Sequence, residues 1–410
     1  MPAFTVPLPP AFRRLAWSNL AAQSAEQIGL AAAPLVAVLA IGAGAGETGL
    51  LQTAQTLPFL LFSIPAGLLV DRLPRRLLMA SAEALRALAL LAILALLLAG
   101  ELNLPLLALL GFIGACGTVM YGVAAPALVP SLVASDLLSR ANARIELART
   151  VAFAGGPALA GLLVGWSGAA PAYALAAALS ICAVCLLAGL REPARFQAPV
   201  RRGIGAELRE GIAFVYGHEL LRPVFVTQVI FAVAAFVLQA AYVPYAVHHL
   251  GLSAFETGAT LACYGAGMVA GALAATRISA RLPFGWVIAI GPVMGLTAAL
   301  LMALTIALPS AWLAGLSFFM MGSGPILWVI ATTTLRQTVT PRALLGRVSA
   351  INTLAYGARP LGAAIGAGVG AVWGAQACMI VAAALFALQA LVILISPAVR
   401  LQAQPQMAAA

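Results

Sequence analysis

The chain contains no lysine: all 22 of its basic side chains are arginines, set against 12 carboxylates for a formal charge of +10 over 410 residues. Charged residues of any kind make up 8% of the sequence. That is about a third of what a soluble domain carries, so a water-exposed globular surface is excluded. Aromatic residues are scarce at 7%, and the five cysteines (Cys116, Cys182, Cys185, Cys263 and Cys378) all fall in apolar sequence. No disulfide framework is expected. The pair Cys182-x-x-Cys185, with no second ligand pair nearby, reads as two small helix-packing residues rather than a metal site. A phosphate-binding glycine loop, a nucleophile elbow and a clustered Cys/His site are all missing from the sequence. Enzymatic chemistry, a cofactor and a bound metal are therefore not expected. Met1 to Ala11 holds four prolines and no charge, which does not describe a cleavable signal peptide.

Hydrophobic residues, at 63%, are what the chain has in quantity. About 20 consecutive apolar residues cross a bilayer as helix. On that ruler the sequence predicts an all-α polytopic membrane protein with twelve spans, near 16–41, 49–70, 77–99, 104–133, 146–166, 170–190, 223–247, 254–276, 285–308, 311–335, 346–373 and 376–396. The arginines fall at the termini and in the even-numbered gaps between spans, and the odd-numbered gaps contain none. By the positive-inside rule both termini are cytoplasmic, and the positive charge marks membrane topology rather than nucleic-acid binding. Only Arg86 and Arg359 sit deep within spans.

One long polar stretch interrupts the pattern. It divides the chain into a six-helix bundle over 1–190, a cytoplasmic linker over 191–222 and a second six-helix bundle over 223–410. Within the linker, Ile204, Leu208, Ile212 and Val215 recur at helical spacing opposite Glu207, Arg209 and Glu210, which predicts a short amphipathic helix lying along the membrane surface. The halves echo each other as two pseudo-repeats: Leu137-Leu138-Ser-Arg140 before the fifth span matches Leu344-Leu345-Gly-Arg347 before the eleventh, and each is followed by a proline, Pro157 and Pro360.

After the second span comes Gly67-Leu-Leu-Val-Asp71-Arg72-Leu-Pro-Arg75-Arg76, a tight charged hairpin. In it Gly67 permits close helix contact, Asp71 can sit near the positive N-terminal end of a neighbouring helix, and the three arginines hold the turn on the cytoplasmic side. This spacing, in this register, resembles the signature of the major facilitator superfamily of secondary transporters. Three further stretches, Glu207–Phe214, Pro130–Asn142 and Pro341–Ser349, look like its drug and siderophore exporter branch, which includes the enterobactin exporter and the macrolide efflux pumps. Gly155-Gly156-Pro157-Ala-Leu-Ala-Gly161 resembles the antiporter motif of that superfamily, with Ala160 in place of one glycine. Its glycines flatten a helix face so that a neighbour from the other half can approach, and Pro157 kinks the helix; a plain kink is the simpler alternative. Gly362, Gly366 and Gly370 form a small-residue ridge on the eleventh span that reads as packing.

Ionisable groups inside a bilayer are costly, so each is a candidate for function. Glu26, in mid-span, reads as a proton or cation site or as the structural partner of a neighbour such as Arg359. Glu83 and Arg86, three apart on one face, read as an ion pair, as do Glu146 and Arg149 near the gate formed with the hairpin. Arg359 either pairs with Glu26 or binds an anionic group of a substrate. The uncharged cavity candidates are Asn19, Gln23, Gln52, Gln55, Tyr121, Gln228, Gln239, Tyr242, Trp328, Asn352 and Tyr356. Amides and aromatics with few charges suit a small amphipathic organic molecule. His248-His249 reads as a loop pair rather than a metal site.

The resemblance implies a proton-coupled exporter in a bacterial inner membrane, monomeric, working by alternating access. A dedicated siderophore or metabolite exporter and a lysophospholipid flippase are the alternatives within transport. A non-transporting membrane sensor is the alternative outside it, and the intramembrane Glu26 argues against that reading.

Overall fold

A computed structural model describes residues 8–134, 137–190, 204–341, 344, 347–348, 351 and 355–405. These form α1 (Pro10–Leu39), α2 (Ala45–Arg72), α3 (Arg75–Ala99), α4 (Leu104–Leu132), α5 (Leu138–Ser167), α6 (Ala170–Ala188), α7 (Ile204–Gly217), α8 (Leu221–His248), α9 (Ala254–Ser279), α10 (Phe284–Leu304), α11 (Ala311–Val339) and α12 (Arg359–Leu394), with short 3₁₀ turns at Ala355–Ala358 and Pro397–Arg400. No strand occurs among the described residues.

By length and composition, ten of these helices can cross a membrane. That number counts α12 once, although Gly374 (φ 79°, ψ 178°) breaks it into two segments, and it leaves out α2, which carries Pro58 and Pro65. With both taken in, each of the twelve predicted spans holds helix. The protein is an integral membrane protein.

The helices overrun their apolar runs on the arginine-bearing side: α1 starts at Pro10, α5 at Leu138, and α11 continues to Val339. The eleventh span is expected from residue 346. Arg347, Val348 and Ile351 are helical, a 3₁₀ turn covers Ala355–Ala358, and α12 runs from Arg359 with Pro360 in its first turn, where a missing N–H costs no intrahelical bond. On the opposite side, Gly42, Gly100, Gly168, Gly251 and Gly374 have positive φ and close turns between consecutive spans. Trp166, Trp312 and Trp373 stand exposed, as expected of aromatic side chains at a headgroup interface.

The chain divides into two compact units, 1–41 with 54–197, and 42–53 with 198–410. In the first, α1 packs on α5 and α6, and α3 on α4 and α6. Phe12, Leu15, Met79, Tyr121, Leu128 and Leu187 lie in its core. In the second, α8 packs on α12 and α11 on α9 and α10, around Ile288, Trp328, Leu335 and Ile393. The glycine ridge of α12 serves this packing: a Cβ on Gly362 would lie 2.4 Å from the Val233 carbonyl oxygen of α8, and one on Gly366 2.9 Å from the Ala240 Cβ. The start of α2 belongs to the same unit, with Gly49 against Ala367.

Candidate functional site

Within the first unit, α1, α3, α4 and α6 each contribute a side chain to one buried charged cluster. Glu83 and Arg86 sit one turn apart on α3, and their ion pair measures 2.8 Å from Oε1 to Nη1. Glu83 is fully buried, and its Oε2 accepts a hydrogen bond from Ser180 Oγ of α6 at 3.0 Å. The Arg86 guanidinium donates through Nη1 to the Ala22 carbonyl of α1 at 3.1 Å and through Nη2 to Thr118 Oγ1 of α4 at 2.7 Å. The same Nη2 lies 3.9 Å from Glu26 Oε2. Glu26 is thus the looser carboxylate of the two, and its side chain is 14% exposed while that of Glu83 is 0% exposed. In the low-dielectric interior such an arrangement persists because each charge has an opposite charge and hydrogen bonds around it. Chemically, it offers one fixed ion pair and one carboxylate at its edge.

The uncharged candidates take several roles. Asn19 Nδ2 donates to the Ile145 carbonyl, tying α1 to α5. Tyr121 shares a hydrogen bond with Ser18 at 3.3 Å. Tyr242 bonds Thr260 and packs edge-on against Phe318. Gln55 is buried against Gly111 of α4, and its Oε1 has no hydrogen-bond partner among the described residues. Trp328 is buried beside Phe231 with its indole N–H likewise unsatisfied. Gln23, Gln52, Gln228 and Gln239 are half-buried. Asn352 and the side chain of Tyr356 lie outside the described residues. Arg359, in the second unit, stacks over the Phe236 ring at 5.5 Å.

The hairpin arginines find backbone acceptors. Arg76 Nη1 donates to the Leu190 carbonyl at 2.8 Å, Arg14 to that of Gly189, and Arg75 to that of Ala127. The first two supply donors just past the C-terminus of α6, where helix carbonyls lack partners and the helix dipole is negative. Arg72 is exposed, and the side chain of Asp71 lies outside the described residues. Gly67 does not admit a close neighbour as expected; a Cβ there would meet no described atom within 4 Å. Glu146 and Arg149 do form an ion pair, partly exposed, and Arg149 also covers the Phe153 ring.

In the antiporter-like stretch, Gly156 packs closely on Gln27 of α1 within its own bundle; a Cβ on Gly156 would lie 2.5 Å from the Gln27 Cβ. Pro157 stands inside α5, and Gly161 is buried on the same helix. His249 makes no metal cluster: its ring meets Gln376 at 2.8 Å and the Ile306 carbonyl at 3.2 Å, and no group of metal-ligating residues occurs among the described residues.

The model of one protein family, described as transmembrane secretion effector, matches residues 7–409. The chain belongs to that family. Solved structures agree on the fold. A bacterial homologue of the iron transporter ferroportin, solved inward-facing, is 16% identical with a TM-score of 0.72, covering 94% of this chain and 98% of its own. The nucleoside transporter NupG is 12% identical with a TM-score of 0.76, covering 94% and 98%. A bacterial homologue of the human lysosomal transporter Spinster is 16% identical with a TM-score of 0.72, covering 98% of both chains. No curated protein matches the sequence. The chain is therefore a membrane transporter with the major facilitator fold.

Sequence reasoning missed Thr118 and Ser180, which anchor the charged cluster. Each is one hydroxyl in a helix full of small residues, where such groups usually bond their own backbone, so nothing local marks them. The better signal is complementary: a buried arginine and glutamate on one face require further donors and acceptors from the helices packed against them.

Proposed function

We propose that this transporter exports small amphipathic organic molecules in exchange for protons by alternating access, with Glu26 as the coupling carboxylate. The observation that carries the reading is the asymmetry of the cluster around Arg86. Glu83 is locked between Arg86 and Ser180 and has no exposed surface, so it stays as a fixed counter-charge. Glu26, at 3.9 Å and partly exposed, can exchange a proton or release the guanidinium when the cavity changes face. Arg86 then holds the vacated position without unfolding α1, since Ala22 and Thr118 still bind it. The family description supports outward transport, and half-buried amides on several spans support an organic substrate over a bare ion. The arginine distribution supports a bacterial inner membrane with both termini cytoplasmic, and the protein acts as a monomer.

Inverted membrane vesicles test this directly, with a panel of drugs, siderophores and lipids assayed with and without a proton gradient. Glu26→Gln should abolish gradient-driven uptake while substrate binding and downhill exchange remain. Undiminished uphill transport by a stable Glu26→Gln protein would overturn the reading.

A further inference from the structure

Two of the stretches that resemble the exporter branch, Glu207–Phe214 in the linker and Pro341–Ser349 before the eleventh span, meet in the second unit. An amphipathic linker helix is expected to rest its apolar stripe on the membrane surface. In α7, Ile212 of that stripe is exposed, while Val215 points into a protein cluster with Leu221, Val348 and Ile351, surrounded by Phe214, Phe225 and Leu344. Gly211 brings the two segments together: a Cβ there would lie 3.1 Å from both the Arg347 carbonyl oxygen and Ile351 Cγ1. At the rim, Arg347 Nη1 lies 2.6 Å from Glu210 Oε2. A cavity of about 20 Å³ remains beneath, lined by Val215, Phe225, Thr332 and Val348 among others.

We infer that α7 is a clasp on Arg347, Val348 and Ile351, closed by the Glu210–Arg347 ion pair over an apolar plug. The two parts of the contact have different strengths. The ion pair is partly exposed, 23% at Arg347 and 53% at Glu210, so it is weak and screened by salt. The plug residues themselves are apolar, with Arg336 lining the cavity beside them, so salt acts first on the rim. Such a contact opens and recloses at its rim while α7 stays folded. This inference does not depend on the molecule carried or on proton coupling.

Hydrogen–deuterium exchange on the full-length protein in lipid nanodiscs tests it. Glu210→Gln should speed exchange across α7 and from Leu344 to Ile351 by about two- to fivefold. About 1 M salt should do the same to the wild type and add little to the variant. Reversing both charges, Glu210→Arg with Arg347→Glu, should restore protection, and Gly211→Val should raise exchange further by lifting the plug. Because the chain has no lysine, Arg347→Lys introduces a unique side-chain amine, which a carbodiimide should condense with Glu210. Unchanged exchange in both Glu210→Gln and Arg347→Gln would overturn the clasp. So would cross-links from position 347 that bypass Glu210, or protection of α7 that follows the lipid and ignores Arg347.

Discussion

Gly156 of α5 stands so close to Gln27 of α1 that a methyl group in place of its hydrogen would lie 2.5 Å from the Gln27 Cβ, whereas Gly155 beside it faces open space. This contact fixes how α1 lies on α5, and therefore where Glu26, one residue before Gln27, meets Arg86. Neighbouring glycines should thus respond in opposite ways. Gly156→Ala is expected to cost about 1–3 kcal/mol through overpacking, while Gly155→Ala, in ordinary helical conformation, should gain up to about 1 kcal/mol. Thermal midpoints of the purified variants in one detergent check the order, and equal midpoints would refute the packing argument.

Arg86 serves two carboxylates, so its loss should matter more than the loss of either. Arg86→Met strands Glu83 in the core and is expected to cost about 3–5 kcal/mol; Arg86→Met with Glu83→Met should recover most of that. Glu26→Gln, at the looser contact, should change stability far less. A thermal-shift series on the four proteins decides this, and a single Arg86→Met protein as stable as the wild type would show that the cluster is not coupled.

Gly374 holds a backbone conformation (φ 79°, ψ 178°) that belongs almost entirely to glycine. Open space surrounds it, so any cost of substitution comes from the backbone. Gly374→Ala is expected to lose about 1–3 kcal/mol, visible as a lower thermal midpoint or reduced membrane yield. An unchanged midpoint would mean that the turn relaxes elsewhere.

Orientation is open to labelling with single cysteines in a version whose five native thiols, all free, are replaced. Gly44 suits one side, since a Cβ there meets nothing within 4 Å, whereas Gly46 is crowded by Ala371; Gly217, also open, suits the other. A membrane-impermeant thiol reagent should reach Gly44→Cys only from the periplasmic side and Gly217→Cys only from the cytoplasmic side. Reaction of both from one side would overturn the arginine-based topology.

The spans were legible because hydrocarbon thickness imposes a length that apolar runs must match, but their ends were not. Pro10 to Leu15 and Leu138 to Ile145 are helical beyond the apolar runs, because a helix keeps its hydrogen bonds into the polar interface after hydropathy has fallen. At the eleventh span Arg347, Val348 and Ile351 are helical, and Pro360 falls in the first turn of α12. Of the charged cluster, the Glu83–Arg86 spacing was readable along one helix. That Arg86 also faces Glu26, and that Glu210 meets Arg347 from a distant segment, depends on helix packing that no local pattern encodes.

The glycine turns bear on how the protein enters its membrane. Gly42, Gly100, Gly168, Gly251 and Gly374 close connections that hold no arginine, and the positive-inside rule expects such connections to pass through the bilayer during synthesis. Several are already satisfied by backbone hydrogen bonds, such as Ile41 N–H to the Val36 carbonyl and Glu101 N–H to that of Leu96. A pair of helices joined in this way can insert as a closed hairpin, carrying neither arginine nor a long unbonded loop across, while the arginine-bearing connections stay on the side where the ribosome delivers them.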